Sequence, residues 1–312
     1  MVDSKQQWKA WLYLAPAIVL LLIFTVWPII NTVRLAFLEG YNALEAAWGA
    51  TYKIGIGNFI EVLTYDSFLT CLKNTMLLTV LTVPISTLLA LLIAVALNSI
   101  KPLQKFLQTI FFLPYVTNSI AIGMVFAAMF NIIGLRPDGS SADTWGIINN
   151  VIMFFGGDPI NWINAQSSYW ANIAVMTVYI VWNALPFKIL ILLGGLQSIN
   201  KQYYDAAKVD GTPRRRVFTR ITVPLLSPML AYVVITGFIG GFKEYSSIVG
   251  IFGEKMGPVG APYSLNTMVG YIYRVLPDTS YGVASAAALV LFAIILVVTL
   301  FNNWVSRKTT HF

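Results

Sequence analysis

Residues 201–228 read KQYYDAAKVDGTPRRRVFTRITVPLLSP, and this segment differs in composition from the chain around it. It carries six basic residues, whereas long apolar runs lie before and after it. Of the 312 residues in the chain, 57% are hydrophobic and 11% are charged, against about 25% charged residues in a soluble domain. The composition therefore indicates an all-α integral membrane protein with one charged block between its apolar segments.

Six long runs without Lys, Arg, Asp or Glu are the basis for placing the membrane spans. An α-helix that rises about 1.5 Å per residue needs about 20 residues to cross about 30 Å of hydrocarbon. The first run is too long for the apolar part of a signal peptide, so we interpret it as a retained helix. The sequence predicts a single transmembrane domain over residues 1–312, with helices at about 10–33, 74–100, 106–133, 168–193, 225–250 and 281–305.

The distribution of Lys and Arg predicts the orientation of these helices. Cytoplasmic loops of membrane proteins carry an excess of basic residues. One side of the predicted membrane has twelve of them and the other side has four, namely Lys53, Arg136, Lys255 and Arg274. We therefore expect both termini and the charged block to lie in the cytoplasm. The twelve are Lys5, Lys9, Lys101, Lys105, Lys201, Lys208, Arg214, Arg215, Arg216, Arg220, Arg307 and Lys308.

The residue inventory argues against several classes of function. The net charge of +7 could indicate nucleic-acid binding, but the charges lie in short clusters between apolar runs. Cys71 is the only cysteine and His311 the only histidine, so we expect no metal site and no cofactor of the kind these residues hold. No phosphate-binding loop of the G-x-x-x-x-G-K-[ST] type is present. We expect no catalytic residues and no nucleotide hydrolysis by this chain.

The charged block has the pattern of two short helices joined by a turn. The run KQYYDAAK predicts a first helix, and the pair Asp210 and Gly211 ends it, because glycine adopts a left-handed conformation freely. Thr212 is predicted to cap a second helix, with Pro213 at the first position of that helix. We therefore expect a helix-turn-helix in a loop over 197–228, between the fourth and fifth transmembrane helices.

Two features of the block favour contact with another protein. Ala206 and Ala207 leave the first helix nearly bare, so that a second surface can approach its backbone. Tyr203 and Tyr204 are large side chains of the kind enriched at binding hot spots. Two other interpretations stay open from the residues alone. One is a basic loop that only sets topology, and the other, disfavoured because both ends adjoin membrane segments, is a DNA-binding helix-turn-helix.

The stretch LPFKILILLGGLQSINKQYYDAAKVDGTPRRRVFTRITVPLLSP at 185–228 resembles the signature of the permease subunits of binding-protein-dependent ABC importers. That signature runs Glu-Ala-Ala, then a glycine, then Ile-x-Leu-Pro, and here it appears as DAA, DG and ITVP. Further segments resemble the sugar-importer branch of the family, including LAPAIVLLLIFTVWPI, IFFLPYVTNSIA and YGVASAAALVLFAII. The chain departs from the family pattern at Asp205, where Glu is usual, and at Asn200, where many relatives have Pro.

The resemblance implies a multi-pass subunit of a prokaryotic plasma (inner) membrane that is not itself an enzyme. Its implied partners are a second permease subunit, expected to be a homologue, two ATP-binding subunits, an extracytoplasmic solute-binding protein and membrane lipid. The charged block would be a coupling helix that contacts the ATPase. By motif position, the coupling residues are Tyr204, Asp205, Ala206, Ala207, Asp210 and Gly211.

A polar solute that crosses lipid needs hydrogen-bond partners inside the helix bundle. The third, fourth and fifth predicted helices carry aromatic, amide, hydroxyl and carboxylate groups that suit a carbohydrate. Packing of Gly237 and Gly241 between helices, or an ion pair between Lys243 and Glu244, would explain some of these residues without a solute. By motif position, the resemblance implies a substrate pathway along Tyr115, Ser119, Asn183, Phe187, Gly241 and Glu244.

The leading prediction is therefore an importer permease for a carbohydrate, with an oligosaccharide favoured. The same architecture importing glycerol phosphate or a polyamine is an alternative. A polyamine pocket should be acidic, and only Glu244 is available, whereas a phosphorylated solute would favour Lys243. A secondary transporter should carry ionisable residues in several spans and inverted repeats. A membrane enzyme should cluster titratable residues at one membrane face, and the sequence shows no such cluster.

Overall fold

A computed structural model describes residues 7–100, 104–133, 144–278 and 280–309. Lys5, Lys101, Arg136 and His311, which contribute to the sequence predictions, lie outside the described residues. The described part of the chain is almost entirely helical, as a membrane protein of this composition requires. Within this described part, two short strands, β1 (Ile132–Ile133) and β2 (Thr144–Trp145), form an antiparallel pair.

Helices of very different lengths make up the described part of the chain. They are α1 (Gln7–Leu21), α2 (Trp27–Ala36), α3 (Ala43–Ala47), α4 (Gly57–Thr64), α5 (Asp66–Ser99), α6 (Gln104–Val116), α7 (Ser119–Phe130), α8 (Ile147–Phe154), α9 (Tyr169–Ser198), α10 (Lys201–Val209), α11 (Arg214–Val217), α12 (Val223–Phe242), α13 (Ser246–Phe252), α14 (Met268–Val275) and α15 (Tyr281–Thr309). Short π-helical turns join α1 to α2 and α11 to α12.

Five continuous helical stretches of the described residues are long and apolar enough to cross a membrane. Pro114, Asn118 and their neighbours divide a sixth apolar segment into two pieces, Gln108–Val116 and Ser119–Phe130, which meet at 104°. The described residues thus contain five candidate spans, or up to six if the bent pair is one span. The five are Trp8–Ala36, Asp66–Ser99, Tyr169–Ser198, Arg214–Phe242 and Tyr281–Ser306.

Two helix breaks fall inside segments that were predicted to be single spans. In the segment 106–133, Asn118 has an extended backbone and its Oδ1 accepts hydrogen bonds from Ile120 N at 2.8 Å and Ala121 N at 3.4 Å. This side chain caps α7 and so favours a new helix at that point. In the segment 225–250, α12 ends at Phe242 and α13 begins at Ser246.

By its contacts the chain divides into two compact units. The first comprises residues 1–69 and 271–292. Within it, the amide of Asn58 is 2% exposed, donates to Ala36 O at 3.0 Å and Leu38 O at 2.8 Å, and accepts from Gly40 N at 3.2 Å. These bonds hold α4 against the end of α2. The central residues of Trp8–Ala36 are not buried by the chain, so this helix leaves its apolar surface to the surroundings.

The second unit comprises residues 70–270 and 293–312, and its described residues include two apolar cores. One core surrounds the fully buried side chains of Met176 and Tyr179 on α9, with Ile248 of α13. The other core joins α5 and α9 to Leu226 at the start of α12. Helix α9 takes part in both cores, so it is the central element of this unit and it fixes the neighbouring helices around it.

Candidate functional sites

A cavity of about 300 Å³ lies inside the second unit. Its wall is formed by residues of α5, α6, α9 and α12 together with Glu244, which follows α12. Five of the six residues predicted for the substrate pathway line this cavity, namely Tyr115, Asn183, Phe187, Gly241 and Glu244. Ser119 is not part of the lining, but it contacts the lining residue Asn183. The structure thus brings together residues that are up to 129 positions apart (115 to 244) in the sequence.

An aromatic pair forms one part of the cavity wall. The rings of Tyr115 and Phe187 stack with centroids 5.9 Å apart and an interplanar angle of 20°. Phe112 packs beside Tyr115 at 5.4 Å. The Tyr115 side chain remains 52% exposed, so its ring is available to a molecule in the cavity. Aromatic faces of this kind suit the apolar faces of ring-shaped solutes, because both surfaces leave water on contact.

A short chain of hydrogen bonds orients the amide of Asn183. Its Nδ2 lies 3.3 Å from Ser119 Oγ, and that hydroxyl lies 3.1 Å from Tyr179 OH. Tyr179 is fully buried, and its hydroxyl donates to the carbonyl of Ser119. Ser119, which does not line the cavity itself, therefore orients the side chain of Asn183. The amide of Asn183 is half-buried and keeps donor and acceptor capacity for a further partner in the cavity.

Glu244 has two hydrogen bonds within its own turn. Its Oε1 accepts from Tyr245 N and Ser247 N, both at 3.1 Å, so the side chain caps the start of α13. Its backbone carbonyl accepts from Thr267 Oγ1 at 2.8 Å. Lys243 is exposed, does not line the cavity and forms no ion pair with Glu244. The ion pair considered from the sequence is therefore absent from this structure.

Lys188 also lines the cavity, although it was not among the predicted site residues. Its side chain is 4% exposed, and its Nζ lies 2.7 Å from Ser86 Oγ, 2.9 Å from Thr87 Oγ1 and 3.2 Å from Val83 O. The signal was present in the sequence, because Lys188 is the one charged residue within α9. An ionisable residue inside an apolar span indicates a functional position.

The charged block folds as two helices joined by a tight turn. Asn200 caps α10, with its Oδ1 accepting from Gln202 N at 3.0 Å. At the other end Gly211 has φ of 64°, as the sequence predicts for a left-handed turn. Gly211 N donates to Lys208 O at 3.1 Å and Thr212 N donates to Ala207 O at 2.9 Å. This pair of bonds is the Schellman arrangement that ends a helix at a glycine.

The second helix starts differently from the prediction. Pro213, rather than Thr212, is the residue that precedes the first helical turn, and α11 begins at Arg214. No side chain caps this start. Thr212 instead closes the end of α10 through its backbone N–H, and Pro213 takes the cap position of the second helix. The prediction of a Thr212 cap was wrong, and the position of Pro213 was off by one residue.

The structure also separates the residues predicted to contact the ATPase into exposed and buried ones. Asp205, Ala206, Asp210 and Gly211 are exposed. Tyr204 is half-buried, with its hydroxyl 3.2 Å from Thr222 Oγ1.

Ala207 is only 5% exposed, so the interpretation of both alanines as an open surface is wrong for this one. Ala207 faces the interior of the chain because successive positions of a helix point in different directions. The neighbouring Asp205 lies 3.2 Å from Lys208 in an exposed ion pair. The open surface of α10 therefore contains Asp205 and Ala206, with Val209 at 89% exposure near its end.

Comparison with known proteins identifies the family of this chain. The profile of the family described as the binding-protein-dependent transport system inner membrane component matches residues 75–311. The chain is 29% identical to the lactose transport system permease protein LacF of Rhizobium radiobacter, over 92% of this chain and 91% of that protein. It is 26% identical to the trehalose/maltose transport system permease protein MalF of Thermococcus litoralis, over 95% and 93% respectively.

Solved structures show the same fold. A crystal structure of a bacterial ABC transporter involved in the import of the acidic polysaccharide alginate contains a chain that matches with a TM-score of 0.75 and 25% identity, over 97% of this chain and 96% of that one. This chain belongs to the family of binding-protein-dependent transport system inner membrane components. It is a multi-pass permease subunit of an ABC importer rather than an enzyme, and ATP hydrolysis belongs to a separate subunit.

Proposed function

We propose that this permease forms half of a translocation pathway for a carbohydrate, with an oligosaccharide favoured. The cavity beside α9 carries this proposal, because it combines a stacked aromatic pair with an amide and a carboxylate. A sugar presents both apolar ring faces and hydroxyl groups that donate and accept hydrogen bonds. Tyr115 and Phe187 suit the ring faces, and Asn183 and Glu244 suit the hydroxyl groups. Relatives named for lactose and for trehalose and maltose support the same class.

We propose further that the exposed surface of α10 contacts the ATP-binding subunits. Asp205 and Ala206 lie on this surface, and Asp210 and Gly211 lie at the turn that follows it. The small side chain of Ala206 would allow a partner to approach the helix backbone. The Schellman turn holds α10 rigidly to the following helix, which continues to Phe242 beside the cavity. A movement of α10 would therefore reach α12 through a continuous helical segment.

The complete assembly in this proposal contains a second permease, two ATP-binding subunits and an extracytoplasmic solute-binding protein. A solved alginate transporter in complex with a pentasaccharide-bound periplasmic protein supports the last of these by similarity. Six membrane crossings, with the bent pair α6 and α7 as the third, would place both termini and α10 in the cytoplasm. The excess of Lys and Arg on that side supports this orientation.

The test of the substrate class is uptake by the complete complex in proteoliposomes. A panel of radiolabelled lactose, maltose, trehalose, arabinotriose, an alginate oligosaccharide, glycerol 3-phosphate and spermidine would be offered with the cognate binding protein. We expect ATP-dependent accumulation of at least one carbohydrate and of neither glycerol 3-phosphate nor spermidine. Accumulation of spermidine or glycerol 3-phosphate alone would contradict the proposed substrate class.

A further inference from the structure

The wall of the cavity contains a buried ammonium group. The Nζ of Lys188 contacts Ser86 Oγ at 2.7 Å, Thr87 Oγ1 at 2.9 Å and Val83 O at 3.2 Å. An ammonium group has three N–H donors, and these three oxygens of α5 are enough to accept all of them. We call Lys188 with Val83, Ser86 and Thr87 the ammonium cluster.

The two hydroxyl groups of the ammonium cluster are arranged to accept from Lys188. Ser86 donates its own proton to the carbonyl of Thr82, and Thr87 donates to the carbonyl of Val83 at 2.7 Å. Each hydroxyl has only one proton to donate, so its lone pairs remain for the ammonium group. Both hydroxyl-bearing residues are buried, with Ser86 at 1% exposure. The α5 side of the cluster therefore presents acceptors to a cation.

The charge of Lys188 is stabilised by neutral oxygens rather than by a carboxylate. Among the residues that the structure describes, no carboxylate lies within ion-pair distance of its Nζ. Glu244 lines the same cavity, but its Oε1 accepts from backbone N–H groups of α13 and the preceding turn. Burying an ammonium group inside a membrane span costs free energy. Its presence here with three fitted acceptors therefore indicates a functional role in addition to stabilising the helices.

Helix α12 leaves space for the ammonium cluster, because it has a glycine beside it. A Cβ atom at Gly237 of α12 would lie 3.2 Å from Lys188 Nζ and 3.1 Å from Val83 Cγ1. The ammonium cluster therefore lies where α5, α9 and α12 meet. Each of these helices also contributes cavity residues, for example Thr82 from α5, Asn183 from α9 and Thr236 from α12.

We propose that Lys188 is a positioning residue of the transport pathway. Its ammonium group fixes α5 against α9, and so holds Thr82 and Ser86 in the same cavity wall as Asn183 and Phe187. The proposal deepens the proposed function and depends on it for the role of the cavity in transport. The effect of Lys188 on the shape of the cavity does not depend on the identity of the solute, and it can be measured separately.

The first test uses a thiol reagent to report on the cavity wall. A cysteine replaces Ala184, a half-buried lining residue of α9, in a Cys71→Ala background of the complete complex. Its rate of reaction with the uncharged reagent methyl methanethiosulfonate is compared with and without Lys188→Met. We expect about a tenfold faster reaction in the Lys188→Met background, because α5 no longer holds the wall closed. An unchanged rate would overturn the proposal.

A matched control separates this effect from general loosening of the protein. Trp170, in the first turn of α9, is 67% exposed and does not line the cavity. A cysteine at Trp170 should react at the same rate with and without Lys188→Met. An equal increase at both positions would show that Lys188 only stabilises the fold, and would contradict a positioning role.

A double-mutant cycle tests whether Lys188 acts through α5. The pair Ser86→Ala and Thr87→Val removes two acceptors and should by itself speed the reaction at Ala184→Cys. Added to Lys188→Met, the same pair should change nothing further, because residues of one network are not additive. Full additivity would mean that Lys188 does not act through α5, and would overturn the proposal.

Transport kinetics provide the functional readout. In proteoliposomes, Lys188→Met should raise the half-saturating concentration of the sugar that the wild-type complex accumulates from the panel about tenfold. Its maximal rate should change little. About a tenfold lower maximal rate with an unchanged half-saturating concentration would overturn the positioning role. If no panel sugar is accumulated by the wild type, the proposed substrate class fails, while the reactivity of Ala184→Cys still decides the role of Lys188.

Discussion

Asn183 is the residue whose contribution to solute binding is simplest to isolate. Its amide lines the cavity, and its contact with Ser119 at 3.3 Å is near the long limit for a hydrogen bond. We predict that Asn183→Ala raises the half-saturating solute concentration by about 2- to 12-fold, since one neutral hydrogen bond contributes about 0.5–1.5 kcal/mol. The measurement is ATP-dependent uptake in proteoliposomes.

The control for Asn183 is Val178→Ala, on the exposed surface of the same helix. This variant removes apolar area from α9 without altering the cavity, so it should transport like the wild type. Wild-type kinetics in Asn183→Ala would show that the solute does not contact this amide.

Single residues also show where the sequence was informative and where it was not. The pair Asp210 and Gly211 predicted a turn, and the structure has Gly211 at φ of 64°. The burial of Ala207 was not predictable, because a helix of nine residues with a polar composition does not reveal which side it packs on. Lys188 was not among the predicted site residues, although an isolated charge inside the predicted helix 168–193 is itself informative.

At the scale of helices, α12 packs closely against α5 at one of two adjacent glycines. A Cβ atom at Gly241 would lie 2.7 Å from Thr79 Cγ2, whereas one at Gly240 would meet nothing within 4 Å. Both glycines line the cavity. We predict that Gly241→Ala destabilises the permease by about 1–3 kcal/mol through overpacking, while Gly240→Ala does not.

Thermal unfolding of the purified complex, followed in the two glycine variants side by side, tests this prediction. A lower midpoint in Gly241→Ala and an unchanged midpoint in Gly240→Ala are expected. Equal midpoints would mean that α12 moves away from α5 without a loss in the free energy of unfolding. The close contact at Gly241 would then not stabilise the permease.

The turn between α10 and α11 allows a test of backbone conformation without steric crowding. A Cβ atom at Gly211 has no neighbour within 4 Å, so substitution there affects only the left-handed backbone. We predict that Gly211→Val costs about 1–3 kcal/mol and uncouples ATP hydrolysis from uptake. Gly211→Asn should be close to wild type, because asparagine adopts this conformation more readily than branched residues.

Solute-stimulated ATPase activity of the two Gly211 variants is the measurement. If Gly211→Val retains full stimulation, the turn geometry is irrelevant to coupling.

The helix breaks at Asn118 and after Phe242, unlike the turn at Gly211, could not be predicted from the sequence. Both lie in apolar segments that satisfy the length and composition of one span, and only the cap by Asn118 or Glu244 reveals a second helix.

At the scale of the whole molecule, the family was recognisable from its motifs, and the matched profile over residues 75–311 confirms it. The cavity could be predicted in outline, because five of its lining residues lie at motif positions. The supporting contacts of Ser119, Tyr179 and Lys188 could not, since they join positions 60 to 105 residues apart. Such pairings depend on how the helices pack, and no local pattern encodes them.

The orientation of the molecule gives a further prediction. Asp158 and Gln202 are both exposed, and the proposed topology places them on opposite sides of the membrane. In a Cys71→Ala background of intact cells, a membrane-impermeant maleimide should modify Asp158→Cys but not Gln202→Cys. Permeabilised cells should show modification of both. Modification of Gln202→Cys in sealed cells would reverse the proposed orientation.

We propose that a separate ATPase drives transport through this chain by contact with the exposed surface of α10. The most direct measurement is uptake and ATP hydrolysis in the same proteoliposomes for the wild type and for Ala206→Arg. Ala206 is exposed and is not part of the cavity lining, so the variant should insert and fold. We predict that Ala206→Arg loses uptake and stimulated ATP hydrolysis together, while Ala206→Ser, which adds only a hydroxyl group at the same position, retains most of both. Wild-type uptake and hydrolysis in Ala206→Arg would contradict the account.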